Sequence, residues 1–490
     1  MTRMHAEART GRRTLLLAGA LAGLAAACRG SQSGADTAPT ADRFVTDLRI
    51  PPLAASTIDS DGARRFALAL RDDGRSSFLP GTTTPTWGVN GDYLGPTVRV
   101  RVGERVRMAV ASRLAERTTL HWHGMLLPAR MDGGPHQPIE PGATWLPQWT
   151  VRQPAATLWY HPHAHGSTAM HVYRGLAGLL VVDDPNGPEL PGRYGIDDIP
   201  LILQDRRFDP DGRFAEADVD DGTYGLLGDT ILINGTVRPR LRLRDRTVRL
   251  RLLNAANARV FHPGFADGRP FQVVGTDAGL LDRPVTTTRV RMSPGERVEI
   301  VVSLAARERV VLDSRGPDHA SDPERGHFPL LQLEVRPDAA DPVALPDRLA
   351  VGSPQPYRAG PLRRFRLDAL EINGRRGDPA RIDEVVVAGA HETWEISNGR
   401  YAHSLHIHGA HFRLLDATGA DAGLKDTVFV PPGATLRLAV RFGTDIDPAT
   451  PYMYHCHLLR HEDGGMSGQF VVVAPGTENE VPRSLRGHHH

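Results

Sequence analysis

Twelve residues near the C-terminus constrain this chain more than any others: His455-Cys456-His457-Leu458-Leu459-Arg460-His461, closing at Met466. If residues 452–457 run as a β-strand, successive side chains alternate between faces. His455 and His457 then share one side and Cys456 takes the other. One thiolate, two imidazoles and a thioether are the ligands of a blue-copper electron-transfer site. Cys456, His461 and Met466 supply all but one imidazole of that set. The flanking histidines are left for a second metal centre one peptide unit away. The alternative is a buried thiol between unrelated histidines, and the rest of the chain decides between the two.

Histidine pairs recur elsewhere. Thr119-Leu120-His121-Trp122-His123-Gly124 and Trp159-Tyr160-His161-Pro162-His163-Ala164-His165 each place two imidazoles at i and i+2, on one face of an extended segment. His165 continues the period and is read as lying behind the ligands. A further group is His403-Ser404-Leu405-His406-Ile407-His408. Any one His-x-His arises by chance, but four pairs from the two ends of the chain do not. Setting aside His403, Cys456, His461 and Met466 for a blue-copper site leaves His121, His123, His161, His163, His406, His408, His455 and His457. Imidazoles without a patterned carboxylate suit copper better than magnesium, calcium or manganese. Ligands from both ends imply a metal cluster clamped where the terminal domains meet.

The remaining texture is short strands separated by turns. Residues 96–102 alternate apolar and polar, as do Leu241–Arg244 and Val248–Leu253, and Asn90-Gly91 marks a turn. Ile231-Leu-Ile-Asn-Gly235 is echoed by Leu370-Glu-Ile-Asn-Gly374, which suggests internal repeats of one β-fold. The expected layout is a first domain over 45–185, a second over 186–340, a linker over 341–356, a third over 357–475 and a polar tail over 476–490. His262, His319 and His327 of the second domain have no partners at ligand spacing, so that domain reads as a structural spacer. His488 to His490 are set aside as a tag remnant or frayed end.

Residues 1–28 read as an export signal: Arg12-Arg13, an apolar run, then small residues up to Cys28. The paired Arg resembles a twin-arginine signal, which places the protein outside the cytoplasm, whether periplasmic, cell-surface or secreted. Leu24-Ala-Ala-Ala-Cys28 resembles a lipoprotein box, so lipid attachment at Cys28 and plain cleavage both fit. Residues 29–44 read as a flexible tether. With Cys28 and Cys456 the only cysteines, no disulfide is expected. A net charge of +1 gives no case for a nucleic-acid partner.

Together these motifs resemble the three-domain multicopper oxidases, the family of laccases, bacterial cuprous oxidases and bilirubin oxidases, over about residues 45 to 475. The resemblance implies an all-β fold of three cupredoxin-like Greek-key β-sandwich domains holding four copper ions. It assigns His121 and His406 to a type 2 copper. It gives His123, His161 and His457 to one type 3 copper, and His163, His408 and His455 to the other. His403, Cys456 and His461 would bind a type 1 copper, with Met466 as the weak axial ligand. Ser404 departs from the family, which usually has Pro there. The implied chemistry is one-electron oxidation of phenols or aromatic amines coupled to reduction of dioxygen to water, with Asp132 and Glu462 supplying protons. Asp132 also reads as a turn former before Gly133-Gly134. A cuprous oxidase is the alternative, with Cu(I) as reductant. Such enzymes often carry a Met-rich insert, whereas this chain has nine Met and none between Met292 and Met453. A copper-free scaffold, as in cell-division members of the superfamily, is the remaining alternative.

Overall fold

The computed structural model describes residues 44–219, 222–319, 321–349 and 357–485. The export signal, Cys28, nearly all of the tether, residues 350–356 of the linker and His488 to His490 lie outside the described residues. Among the described residues are six sheets, two for each of three successive sandwiches. The alternating sequence is the cause: inward apolar residues of facing sheets meet in a shared core. Phe66, Val106, Val98 and Leu180 form such a core in the first sandwich. Leu201, Leu250, Phe265 and Leu333 do so in the middle one, and Phe365, Trp394, Phe429 and Phe470 in the third.

One topology is used three times. In the first sandwich Arg64–Ser76 runs parallel to Arg105–Ser112, and Val98–Arg101 parallel to Gly178–Asp183. The middle sandwich repeats this with Asp198–Arg206 beside Thr247–Asn254 and Pro239–Asp245 beside His327–Ala340. The third does so with Leu362–Asp368 beside His391–Asn398 and Glu384–Val387 beside Ser467–Val473. Parallel neighbours require the chain to cross between sheets, as Greek-key connections do.

The turn repeat goes deeper than the two copies visible in sequence. Asn90, Asn234 and Asn373 all have positive φ, near 50–57°, where Asn is tolerated because its amide bonds the backbone. Their Oδ1 atoms accept from the backbone N–H of Ala69, Ile202 and Arg366 at 2.7, 2.7 and 2.8 Å. Each amide nitrogen donates back to the carbonyl two residues earlier, at Ala67, Pro200 and Arg364. Asn90, read simply as turn punctuation, is the first copy of the same clasp.

One expectation is corrected. Thr247–Asn254 is buried along its whole length, not on alternate residues. Arg249 and Arg251 point inward and pair with Glu299 and Asp198, which removes the cost of an unpaired buried charge. In the described part of the tail, Leu485 N–H donates to Ala380 O at 2.7 Å, and Val481 and Leu485 pack on the third sandwich. Across the junction of the first and third sandwiches, Asp463 accepts the N–H groups of Thr168 and Ala169 at 3.0 and 2.8 Å. A carboxylate there caps the first turn of helix Thr168–Arg174.

Candidate metal centre

Two antiparallel strand pairs build the site. His121–His123 lies against Ala156–His161, with His161 opposite His121. His403–Ile407 lies against Asp447–Cys456, with His406 opposite His455 and Leu405 opposite Cys456. His403 and His406, three apart, point to opposite faces, as do Cys456 and His455. The strand ends at Cys456 rather than at 457, but His455 and His457 still share a side, with ring centroids 5.6 Å apart.

The faces separate the ligands into two groups. On one, Cys456 Sγ lies 3.5 Å from His403 Nδ1 and 3.6 Å from His461 Nδ1, and those two nitrogens are 3.2 Å apart. Met466 is fully buried beside them and its backbone bonds both Cys456 and His461. On the other, the eight imidazoles from the first and third sandwiches converge. His163 Nε2 and His408 Nε2 each lie 3.1 Å from His455 Nε2. His123 Nδ1 lies 3.4 Å from His161 Nε2, and His457 stacks edge-on to both rings at 5.0 and 5.2 Å.

Hydrogen bonds behind the rings decide which nitrogen faces inward. His121 Nδ1 donates to Asp132 O and His406 Nδ1 to Asp426 O, both at 2.9 Å. Their Nε2 atoms are buried without a partner. His161 Nδ1 donates to Pro162 O at 2.8 Å, His455 Nδ1 to Cys456 O at 3.1 Å and His408 Nδ1 to Asp132 Oδ2 at 2.7 Å. Nitrogen lone pairs therefore face one another with no proton between them. Buried unpaired acceptors at this density are stable only around a cation, so the residues fit a metal. Burial drives the pKa of His123, His161, His163 and His406 well below the imidazole range. It holds His408 at about 4 and His457 at about 3. In the thiolate group burial sets His403 at about 3 and His461 at about 4, and pushes the Cys456 thiol up to about 12. Metal entry must therefore displace the thiol proton, whereas the rings are already neutral.

Two carboxylates flank the imidazole cluster. Asp132 is buried, and its Oδ1 has no partner. Glu462 places Oε1 3.2 Å from His163 Nδ1 and Oε2 3.2 Å from His455 Nδ1. Burial opposes ionisation of both, yet the imidazoles of His121 and His408 hold Asp132 below the usual carboxylate range, and those of His163 and His455 hold Glu462 there. Gly133 follows Asp132 with φ +79°, and a Cβ there would fall 1.8 Å from Leu120 O. Only glycine lets this turn press Asp132 onto the cluster.

Residues 72–187 and 346–476 each match a family profile described as multicopper oxidase. The multicopper oxidase of Staphylococcus epidermidis is 32% identical over 87% of this chain and 92% of its own length. The chain belongs to the multicopper oxidases. The cell division protein FtsP of Escherichia coli is 36% identical, over 87% of this chain and 92% of its own. A solved laccase-like multi-copper oxidase, CueO, from a lignin-degrading Ochrobactrum is 37% identical with a TM-score of 0.79, covering 87% of this chain and all of that one. The expected all-β fold of three cupredoxin-like sandwiches is therefore this oxidase's fold, and copper is the metal its family implies.

The structure also places residues that sequence reasoning missed. Asp426 and Thr427 contact His123 Nε2 at 3.1 and 3.0 Å. Thr223 O of the middle sandwich accepts from His461 Nε2 at 2.8 Å. Neither has a periodic signature, since each partner lies far away in sequence. His165 is exposed rather than behind the ligands. His262 and His327 pair with Glu324 and Asp313, as ordinary structural histidines do. Ser404, where the family usually has Pro, is buried and bonds Ser293 Oγ and Pro294 O at 2.8 and 2.9 Å.

Proposed function

We propose that this oxidase takes single electrons from a small organic reductant, a phenol or aromatic amine, and reduces dioxygen to water. The observation that carries this reading is the division of one strand end: Cys456 faces His403 and His461, while His455 and His457 face the imidazole cluster. In the assignment it supports, His403, Cys456, His461 and Met466 would hold the type 1 copper. His121 and His406 would hold type 2, His123, His161 and His457 one type 3 copper, and His163, His408 and His455 the other. Bound copper would supply one-electron acceptance at the first centre and four-electron reduction of dioxygen at the second. The chain's own part begins with the path between them. Cys456 is joined to both flanking histidines by peptide bonds, so electrons pass through covalent structure rather than solvent.

Protons are the second need. In this reading both carboxylates are ionised at rest and take up a proton only in transit: Asp132 at its unpartnered Oδ1 and Glu462 between His163 and His455. Burial of both keeps bulk water from short-circuiting the transfer. The domain layout expected from sequence accompanies this reading, as does export outside the cytoplasm by the twin-arginine route, with or without a lipid at Cys28. Among the described residues no helix is long and apolar enough to cross a membrane.

One observation favours a second reading, a cuprous oxidase. His461 is only 2% exposed and its outer nitrogen is already bonded to Thr223 O, an arrangement that suits a small reductant better than a bulky ring. Turnover of Cu(I) and of 2,6-dimethoxyphenol by the copper-loaded protein separates the two. The phenol is expected to match or exceed Cu(I) in kcat/KM; Cu(I) turnover far above the phenol's would establish the second reading.

A further inference from the structure

The middle sandwich supplies none of the assigned ligands and reads from sequence as a spacer, yet one of its side chains reaches behind the imidazole cluster. Arg297 opens strand Arg297–Ser303 and is wholly buried. All five of its guanidinium N–H groups are used. Nε donates to Thr157 O of the first sandwich at 3.0 Å. Nη1 donates to Gly295 O at 2.8 Å and Asp426 Oδ1 at 2.7 Å. Nη2 donates to Asp277 O at 2.8 Å and Asp426 Oδ2 at 2.5 Å. One fork thus ties all three sandwiches together, and its charge is spent on a carboxylate of the third.

That carboxylate stands directly behind two cluster imidazoles. Asp426 Oδ1 lies 3.1 Å from His123 Nε2 and accepts from Thr427 Oγ1 at 2.8 Å. Its backbone oxygen takes the proton of His406 Nδ1. Held ionised by a bidentate Arg, the carboxylate only accepts, so His123 must carry its proton on Nε2 and turn Nδ1 inward. His121, His161, His406, His408 and His455 do the reverse, turning Nε2 inward. Gly124 makes room for the pair: with φ +85°, a Cβ there would fall 2.5 Å from Asp426 Oδ2 and 2.6 Å from Arg297 Nη2. Lys425, the only Lys in the chain, braces the same segment through Glu296 at 2.8 Å and Asp277 at 3.3 Å. Asp426 with His123 and His406 has the spacing of a metal triad, but both its oxygens are occupied by Arg297, which leaves it a positioning role.

We infer that Arg297 and Asp426 form a positioning pair through which the middle sandwich selects the nitrogen His123 presents to the metal and anchors His406. The inference rests on reading the imidazole cluster as the dioxygen-reducing copper site, but its first test does not. In the full chain labelled with ¹⁵N-histidine and free of metal, His123 is expected to carry its proton on Nε2. A proton on Nδ1 would overturn the inference whether or not the protein is an oxidase. The second test uses Arg297→Met, Arg297→Lys and Asp426→Asn. The first and last are expected to lower copper affinity of the cluster by ~10- to 100-fold, the usual cost of losing a partner behind a ligand. The visible band of the Cys456 centre should be unchanged, and Arg297→Lys should restore part of the loss. Full cluster occupancy in Arg297→Met and Asp426→Asn under chelator competition would contradict the inference. Should Arg297→Met fail to fold, the near-isosteric Asp426→Asn and the wild-type tautomer still decide it.

Discussion

Replacing Cys456 by Ser leaves a protein without a blue band and without useful oxidation of any reductant. Oxygen in place of sulfur removes the soft, charge-transferring ligand that defines such a centre. It does so at a position fully buried between His403 and His461. Because Cys456 also carries the covalent link to His455 and His457, steady-state turnover is expected to fall by roughly 10³-fold or more, the scale for removing one member of a unit that acts as a whole. The imidazole cluster is built from other side chains, so its copper should remain. Metal analysis and spectroscopy of the Cys456→Ser protein check this: loss of one copper with the rest retained is expected. Retention of the blue band would place the electron-entry site elsewhere.

Asp132→Asn separates proton supply from electron supply. The amide oxygen can still accept from His408 Nδ1, and the Asp132 carbonyl still holds His121, so the rings should keep their orientation. What is lost is a carboxyl that can carry a proton. General acid–base groups contribute ~10²- to 10⁴-fold, and the rate of dioxygen reduction should fall within that range. Anaerobic reduction of the blue centre should not change. Stopped-flow reduction followed by reoxidation gives both rates in one experiment. Unchanged reoxidation would leave Asp132 with the turn as its only task.

The parts of this site legible in sequence are those governed by strand periodicity. His-x-His pairs share a face and Cys456 opposes its neighbours, so which side chains converge follows from spacing. The repeat of sandwiches was visible in two Asn-Gly turns, and Asn90 completes it once the amide clasp is seen. What was not legible depends on partners far apart in the chain. Arg249 and Arg251 alternate like surface residues but are buried against Glu299 and Asp198. Arg297 meets Asp426 across 129 positions, and Thr223 reaches His461 across 238. No local pattern marks such pairs, because only tertiary packing makes an inward charge or a capped imidazole stable. Ligand spacing detects what binds a metal, not what stands behind the ligands.

The absorption spectrum of the copper-loaded protein, taken before and after anaerobic reduction and again on admitting dioxygen, tests the central claim most directly. An intense blue band that bleaches on reduction and returns only with dioxygen is the result expected of a thiolate centre feeding an oxygen-reducing cluster. A colourless protein that takes up no copper would contradict it, and would leave these buried imidazoles without the cation their geometry demands.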